Sequence, residues 1–346
     1  MKEPYFNLHV FRVEEGLGNA CVLEFPDRSC GVLDWGTQKT EPLEKALEIA
    51  GRGRVRFVAA THAHSDHALG LKHLLTEFAR RGIKVEKFVY PASTLHGEQF
   101  DLTKARDTAE QLKILSCAIG EDTFLAPPGE RQPPCLAWAE DGSWDLRVLG
   151  PPLTAVARSE IKSMRQGIVP GNETSLVVLF RFVRAPHSNG LGRALLTGDA
   201  TPAALTFARE TAERNGYILE NQAFLVPHHG SEHNFPNWLR GYIRGLAIIS
   251  GSMTSPHHPS HKVLQQLAVW TCGSSPKLFC TAYGHSCSQA FSSLAGAQEA
   301  HLVQPGKCFG DIVARISVTA PAEMAESSEE GNLRRPFGYC GSGNST

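Results

Sequence analysis

The sequence contains no run of about eighteen apolar residues, so it offers no candidate for a membrane-spanning helix. Residues 1–5 lead directly into strand-like sequence and lack the apolar segment of a signal peptide. The nine cysteines are an odd number and form no CxxC pair, a usage typical of reduced thiols rather than of a disulfide framework. We therefore expect a cytoplasmic protein with no membrane partner.

The sequence also lacks an excess of charge of one sign, because its 34 basic residues nearly equal its 35 acidic ones and the formal net charge is -1. No basic field covers the whole protein, so any nucleic-acid binding has to rely on local patches. With 346 residues, 42% of them hydrophobic, the chain is long enough for one large core or two small ones. Histidine, in contrast, is plentiful at fifteen residues, many of them in pairs.

The most informative stretch is residues 61–70, which read THAHSDHALG and join an apolar, strand-like run to a helical pattern. In an extended segment His62 and His64 point the same way, because side chains two residues apart share a face. Asp66 and His67 then begin the helix, and their side chains can reach a second point nearby. Three imidazoles and a carboxylate within six positions suit a borderline-soft divalent metal, zinc foremost. The alternative, a solvated turn with chance histidines, explains one such residue better than four.

Three further chain segments place carboxylate or imidazole groups at the ends of predicted strands: Asp34, Asp199, and the pair His228 and His229. Strand ends on one edge of a sheet converge, so these residues and the 61–70 turn can line one cleft. A carboxylate such as Asp199 can bridge two cations about 3.5–4 Å apart. Asp34 has two equal interpretations: it makes the turn, or it accepts a hydrogen bond that orients a ligand histidine.

Strand patterns come first in hairpins and later alternate with helical patterns, which predicts two sheets packed together with helices outside, in one domain over 1–320. The Ser-, Glu- and Gly-rich residues 321–346 are predicted to be a disordered tail. We also predict a helix over 103–119, an irregular connection over 126–143, and an exposed loop over 154–174. That loop carries three basic residues, Arg158, Lys162 and Arg165.

The HxHxDH turn, the later Gly198-Asp199 and the last histidine, at His228 or His229, resemble the metallo-β-lactamase superfamily. More narrowly, the chain resembles the hydrolase domain attached to the DNA-uptake competence protein ComEC over residues 6–318. The segments that carry this narrower likeness are GLGNA (16–20), NETSLV (172–177), LLTGD (195–199), VPHHGS (226–231) and the His258-Pro259 pair.

The chain departs from the subgroup pattern at two positions near these motifs. Asn19 stands where the subgroup usually has Asp, and His64 stands where it often has Asp, which makes the first metal site richer in nitrogen. The third-motif histidine of the broader family has no clear counterpart, since LGPP occupies residues 149–152. One of two metals is therefore expected to bind less tightly than the other.

The resemblance implies an α+β fold, the metallo-β-lactamase-like αββα sandwich of two packed mixed sheets. It also implies a binuclear hydrolase of phosphodiester bonds that uses two divalent ions, Zn²⁺ or Mn²⁺, and a bridging hydroxide, with DNA as the leading substrate. The implied ligands of one metal are His62, His64 and Asp199. Those of the other are Asp66, His67, Asp199 and His229. The implied catalytic residues are Asp66, His228 and His258.

Two other functions stay open: hydrolysis of a small ester, such as phosphorylcholine, a lactone or a thioester, or a binding module that has lost its chemistry. The complete ligand set argues against the second. The three basic residues of the 154–174 loop favour nucleic acid, because a phosphate polymer needs several cationic contacts. The same residues also fit an ordinary solvated surface. His228 and His258 equally fit structural roles at a strand end and before a helix, and the sequence identifies no regulatory protein partner.

Overall fold

The computed structural model of the protein describes residues 4–13, 18–91, 100–119, 133–151, 171–184, 191–251, 258–260, 262–264, 266–267, 277–281, 311–320 and 322–324. Within these residues, two mixed β-sheets pack face to face and helices cover their outer faces. The predicted αββα sandwich is therefore confirmed.

The first sheet contains eight strands: β1 (Phe6–Val10), β2 (Ala20–Glu24), β3 (Cys30–Trp35), β4 (Val55–Ala59), β5 (Lys87–Pro91), β6 (Leu115–Ile119), β14 (Ile312–Ile316) and β15 (Glu323–Met324). Their spatial order is β15-β14-β1-β2-β3-β4-β5-β6. Strands β1 to β3 form antiparallel pairs, and β3 to β6 run parallel to one another. The predicted hairpin that joins β2 and β3 is thus present.

The second sheet contains seven strands: β7 (Cys135–Trp138), β8 (Trp144–Gly150), β9 (Val177–Phe182), β10 (Arg193–Leu196), β11 (Asn221–Leu225), β12 (Ile243–Ile249) and β13 (Lys277–Cys280). They lie in the order β13-β12-β11-β10-β9-β8-β7. Strands β7 to β10 pair antiparallel, whereas β10 to β13 are parallel. Each sheet therefore has a parallel half, and parallel strands are those whose carboxyl ends gather functional groups.

Five α-helices are described: α1 (Thr40–Ala50), α2 (Ser65–Ala68), α3 (Leu71–Arg80), α4 (Phe100–Gln111) and α5 (Pro202–Arg214). Helix α3 shows why they pack as they do, since its apolar residues recur at helical spacing and its leucines and Phe78 are buried. The N-cap of α5 is Thr201, whose side chain accepts from the amide of Ala204, with Pro202 in the first turn. No described helix is long and apolar enough to span a bilayer.

Aromatic rings from the two sheets stack on each other in the central layer. Phe6 lies 3.9 Å from Phe180, and Phe25 lies 4.4 Å from Trp144, measured between ring centroids. All four side chains are buried. Rings of this size bury large apolar areas and give the interface between the sheets much of its hydrophobic stabilisation.

Two predictions of secondary structure are wrong. The helix expected over 103–119 ends at Gln111, because Lys113 adopts a left-handed φ of 57° and residues 115–119 form β6 beside β5. Part of the connection expected to be irregular forms β7, which pairs antiparallel with β8. Both segments are edge strands, and neither alternates buried with exposed residues, so their hydrophobic pattern is weak.

The last described residues, Glu323–Met324, pair with β14 at the start of the segment predicted to be a tail. Most of that tail, all of 126–132, and Arg158, Lys162 and Arg165 of the predicted loop lie outside the described residues.

Candidate metal centre

The site forms where strands of both sheets end at the same edge of the sandwich. Strand β4 leads into the 61–70 turn with its three histidines and Asp66. Strand β10 leads into Asp199, and β11 leads into the His228-His229 pair. The two sheets touch tightly here. A Cβ on Gly198, whose φ is +49°, would lie 2.7 Å from Oγ1 of Thr61, so a side chain at this position would push the strand ends apart.

The first group of candidate ligands comprises Asp66, His67, Asp199 and His229. Nε2 of His67 lies 3.1 Å from Oδ1 of Asp199, and Nε2 of His229 lies 3.7 Å from the same oxygen. Oδ2 of Asp66 is 3.4 Å from Nε2 of His229 and 3.9 Å from Nε2 of His67. The two rings and the two carboxylates therefore face one common point. This is the second ligand set implied by the sequence resemblance.

The second group comprises His62, His64 and Asp66. Here the structure places Asp66 where the resemblance implied Asp199. Asp199 is still close, since its Oδ2 lies 3.8 Å from Nε2 of His62 while its Oδ1 faces the other group. Asp66 thus belongs to both groups, and Asp199 presents one oxygen to each.

Two of the candidate ligand histidines are held by hydrogen bonds on the nitrogen that faces away from the centre. Nδ1 of His67 lies 2.7 Å from Oδ2 of Asp34, and Nδ1 of His229 lies 2.8 Å from the carbonyl oxygen of Ser250. Because both partners can only accept, Nδ1 carries a proton in each ring, and Nε2 is the nitrogen that faces the centre. A carboxylate or carbonyl behind a histidine is the usual arrangement at metal sites.

The donor set itself tests whether metal ions fit. Nε2 of His62, His67 and His229 and Oδ1 of Asp199 are all buried, and none has a hydrogen-bond partner within the described residues. Although His67 and Asp199 are 3.1 Å apart, this contact does not have hydrogen-bond geometry. Buried polar atoms left without a partner are costly, and the three nitrogens gather around the carboxylate of Asp199, which indicates a place for cations. The residues fit divalent metal ions with nitrogen and oxygen ligands.

Charge interactions keep the carboxylates ionised. Burial alone would raise the pKa of Asp199, but the imidazoles of His67 and His229 hold it well below its usual range. Burial likewise opposes ionisation of Asp66, whose pKa is nevertheless lowered by the neighbouring rings of His229 and His67. Burial lowers the pKa of His62 well below its usual value, and His67 adds to this effect. Burial opposes the charged forms of His67 and His229, but Asp199 raises the pKa of both rings above its usual value. The two carboxylates are thus anionic, and a cation bound here would take the place of the protons on these two rings.

The backbone around the last histidine pair is strained. His228 and His229 both adopt left-handed conformations, with φ of 48° and 52°, and Gly230 follows with φ of 82°. Such conformations are uncommon for residues with a Cβ and cluster at functional sites. The consequence is geometric: the ring of His229 enters the buried centre, while His228, with a side chain 25% exposed, stays at its mouth.

His228 and His258 form a pair at this mouth, with ring centroids 5.0 Å apart. Nε2 of His228 lies 3.6 Å from Oδ2 of Asp199, so the ring is next to the centre without belonging to either ligand group. The structure therefore brings together all eight residues named from the sequence: His62, His64, Asp66, His67, Asp199, His228, His229 and His258.

Several residues around the centre escaped the sequence-based reasoning. Thr61 donates from its hydroxyl group to Asp34 at 2.9 Å, and Asn234 contacts both His228 and the backbone of Asp199. Ser250 contributes only a carbonyl oxygen to His229, which any residue could supply. Of the three, only Thr61 carried a sequence signal, its position directly before the histidine cluster.

Comparison with known proteins gives structural likeness without sequence likeness. No protein-family model matches the sequence, and no curated protein sequence matches it. The metallo-beta-lactamase fold protein YhfI from Bacillus subtilis is similar to it in structure, with 12% identity, coverage of 85% of this chain and 95% of that chain, and a TM-score of 0.41. A diphosphatase from the PhnP family gives 11% identity, 81% and 88% coverage, and a TM-score of 0.36.

The DIM-1 metallo-beta-lactamase is also similar, with 14% identity, coverage of 67% of this chain and 87% of that chain, and a TM-score of 0.31. All three identities are below 25% and all three TM-scores are below 0.5. The fold is accordingly defined by the observed layers and strand order, and the chemistry by the residues of the site.

Proposed function

We propose that the chain is a metal-dependent hydrolase of phosphodiester bonds, with DNA as its leading substrate. The observation that carries the hydrolase assignment is the convergence of four buried atoms without hydrogen-bond partners in the described part of the chain, from His62, His67, His229 and Asp199. Two groups of ligands that share Asp66 support two divalent ions, Zn²⁺ or Mn²⁺. Such ions activate water near neutral pH and stabilise the charge that develops on a phosphoryl group.

The chain's own residues would divide the remaining work. Asp34 and the Ser250 carbonyl orient His67 and His229, so their lone pairs meet at fixed points. His228 and His258 stand at the open side of the centre, where a substrate must approach, and are positioned to contact the reacting group. The buried walls around His62, His67 and Asp199 exclude bulk water from the ligand atoms.

The choice of a phosphodiester, and of DNA, rests on the sequence resemblance to the ComEC hydrolase domain. A purified full-length protein loaded with zinc or manganese should be offered DNA, RNA, a small phosphodiester, a lactone and a thioester in parallel. We expect metal-dependent cleavage of DNA and of the small phosphodiester, with Asp199→Asn as the inactive control. Turnover of the lactone or thioester alone would replace this substrate class with a small ester.

We further propose that Arg158, Lys162 and Arg165 bind phosphates of a polymeric substrate. Removing one such cation should reduce the slope of log affinity against log salt by about 0.7–0.9. The test replaces all three with alanine and compares DNA affinity across salt with turnover of the small phosphodiester. A matched control removes three cations that are exposed in the described part of the chain, Arg52, Arg80 and Lys84. If both triple variants give the same salt slope, the three residues are an ordinary solvated surface.

A further inference from the structure

Asn234 lies at the end of a short 3₁₀ turn, Glu232–Asn234, and its side chain is buried behind the candidate metal centre. Its amide nitrogen, Nδ2, donates to two backbone carbonyl oxygens, that of Asp199 at 3.1 Å and that of Ala200 at 3.2 Å. Its amide oxygen, Oδ1, lies 2.9 Å from Nδ1 of His228. The Asn234 side chain therefore connects the backbone of Asp199, a candidate metal ligand, to the ring of His228.

These contacts determine which way the Asn234 amide points. The reverse orientation would place Oδ1 against two carbonyl oxygens. All three oxygens are acceptors, so no hydrogen bond could form among them. The observed orientation gives Nδ2 two acceptors and leaves Oδ1 for the histidine. Because an amide oxygen can only accept, the hydrogen bond to His228 requires a proton on Nδ1 of the ring.

The tautomer of His228 follows from this requirement. When the neutral ring carries its proton on Nδ1, Nε2 keeps a lone pair and can only accept. Nδ2 of Asn172 faces both ring nitrogens, at 3.2 Å from Nδ1 and 3.4 Å from Nε2. The shorter contact of Nδ1 is the one to Oδ1 of Asn234, at 2.9 Å, so the Nδ1–H group donates to Asn234. Nε2 is then left to accept from Nδ2 of Asn172.

Nε2 of His228 also lies at the mouth of the centre, 3.6 Å from Oδ2 of Asp199. The hydrogen bond that it accepts from Asn172 is long, at 3.4 Å. A better donor, such as a water molecule or a substrate hydroxyl group, can replace Asn172 there.

We propose that Asn234 is a positioning residue that holds His228 in its Nδ1–H tautomer, so that Nε2 is the hydrogen-bond acceptor at the mouth of the metal centre. The tautomer is a property of the chain alone, whereas its use in hydrolysis rests on the proposed function. Asn234 also holds the carbonyl oxygens of Asp199 and Ala200, so the position of His228 and that of the ligand carboxylate are coupled through one side chain.

The direct test is the nitrogen-15 spectrum of the histidine rings in the full-length, zinc-loaded protein, at a pH where the rings are neutral. The His228 signals are assigned by their loss in His228→Gln. We expect Nδ1 of His228 to carry the proton and Nε2 to be unprotonated. A wild-type ring protonated on Nε2 would overturn the proposal, and this measurement needs no variant of Asn234.

Two substitutions separate the tautomer from general stability. Asn234→Ala removes the acceptor, so the His228 ring should take up the Nε2–H form in part or in full. Asn234→Asp keeps an acceptor beside Nδ1 while losing both donors to the backbone, so the Nδ1–H form should persist even if the melting temperature falls. The matched control is Asn237→Ala, at an asparagine three residues along the chain.

Activity provides a second readout. We expect Asn234→Ala to lower kcat for a small phosphodiester about ten-fold, with zinc content unchanged and with partial recovery in Asn234→Asp. An unchanged tautomer in Asn234→Ala would overturn the proposal whatever the activity. If the tautomer shifts as expected but the wild-type protein cleaves no phosphodiester, the proposed function fails while the role of Asn234 stands.

Discussion

Oδ2 of Asp34 lies 2.7 Å from Nδ1 of His67, and the two residues are 33 positions apart in the chain and buried. Both oxygens of Asp34 are occupied, because Oδ1 accepts from the Thr61 amide at 2.6 Å and Oδ2 also accepts from the Thr61 hydroxyl group. Of the two interpretations of Asp34, the orientation of a ligand histidine is the one that matches these contacts. The left-handed φ of 63° at Asp34 shows that it also makes the turn at the end of β3.

The first prediction concerns Asp34→Asn, which keeps the size of the side chain and the tolerance for a left-handed backbone. All three groups that face Asp34 donate hydrogen, so one of them must now face an amide N–H group. We expect zinc affinity to fall about 10- to 100-fold. Competition with a chromophoric chelator measures the affinity, and Asp107→Asn on the exposed face of α4 is the matched control.

An affinity equal to wild type in Asp34→Asn would mean that His67 is held by packing alone. Circular dichroism must show a folded protein in both variants, since the buried Asp34 network also ties β3 to the strand end at Thr61.

The second prediction follows from the position of Asp66 in both ligand groups. We expect two divalent ions per chain at saturation, measured by elemental analysis. Asp66→Asn should lower the affinity for both ions, whereas His64→Ala should lower only the affinity for the ion that His62 and His64 would bind. His73→Ala, on the exposed face of α3, is the control for loss of an imidazole. One ion per chain at saturating zinc and saturating manganese would contradict the binuclear hypothesis.

How much the sequence can predict depends on how local the determinants are. The bounds of helix α1 are predictable, because its apolar residues recur at helical spacing and Gly51 follows it. The 61–70 turn is identifiable from four ligand-type residues within six positions. Strand β6 cannot be identified in this way. It is an edge strand whose Leu115 side chain is exposed, so its sequence lacks the alternation of apolar and polar residues that marks a half-buried strand.

Contacts made by the backbone or by distant segments could not be predicted. The carbonyl oxygen of Ser250 holds His229 across 21 residues, and a carbonyl leaves no mark in the sequence. Asn234 contacts His228, whose left-handed backbone conformation has no sign in the sequence, so this contact could not be predicted either. Ligand types are therefore readable from sequence, whereas their hydrogen-bonded supports require the fold.

The third prediction is that Asp199→Asn and His67→Ala both lose phosphodiester hydrolysis to the background rate while keeping the fold. Both residues lie at the ends of elements, and each substitution removes a ligand atom whose convergence defines the centre. Asp199→Asn also removes the charge that faces both groups. Near-full turnover by either variant, with a native circular dichroism spectrum, would show that the site has been assigned wrongly.

The last prediction concerns acid stability and lies outside the metal centre. Glu24 on β2 contacts Nε2 of His9 at 3.2 Å and accepts from Nδ2 of Asn7 at 3.0 Å. The hydrogen bond to His9 outweighs burial and lowers the pKa of Glu24 from 4.5 to about 2. Because the folded-state pKa is depressed, the carboxylate stabilises the fold above pH 4.5, and this contribution is lost as the pH falls from 4.5 to about 2.

Glu24→Gln should therefore be less stable than wild type near pH 7, by about 1 kcal/mol after allowance for solvent screening, and the gap should close as the pH falls towards 2. Urea unfolding of the metal-free protein at several pH values measures this difference. The matched control is Glu48→Gln on the exposed face of α1, which should show no such convergence. A stability gap in Glu24→Gln that stays constant from pH 7 to about pH 3 would assign the effect to missing hydrogen bonds rather than to the ionised carboxylate.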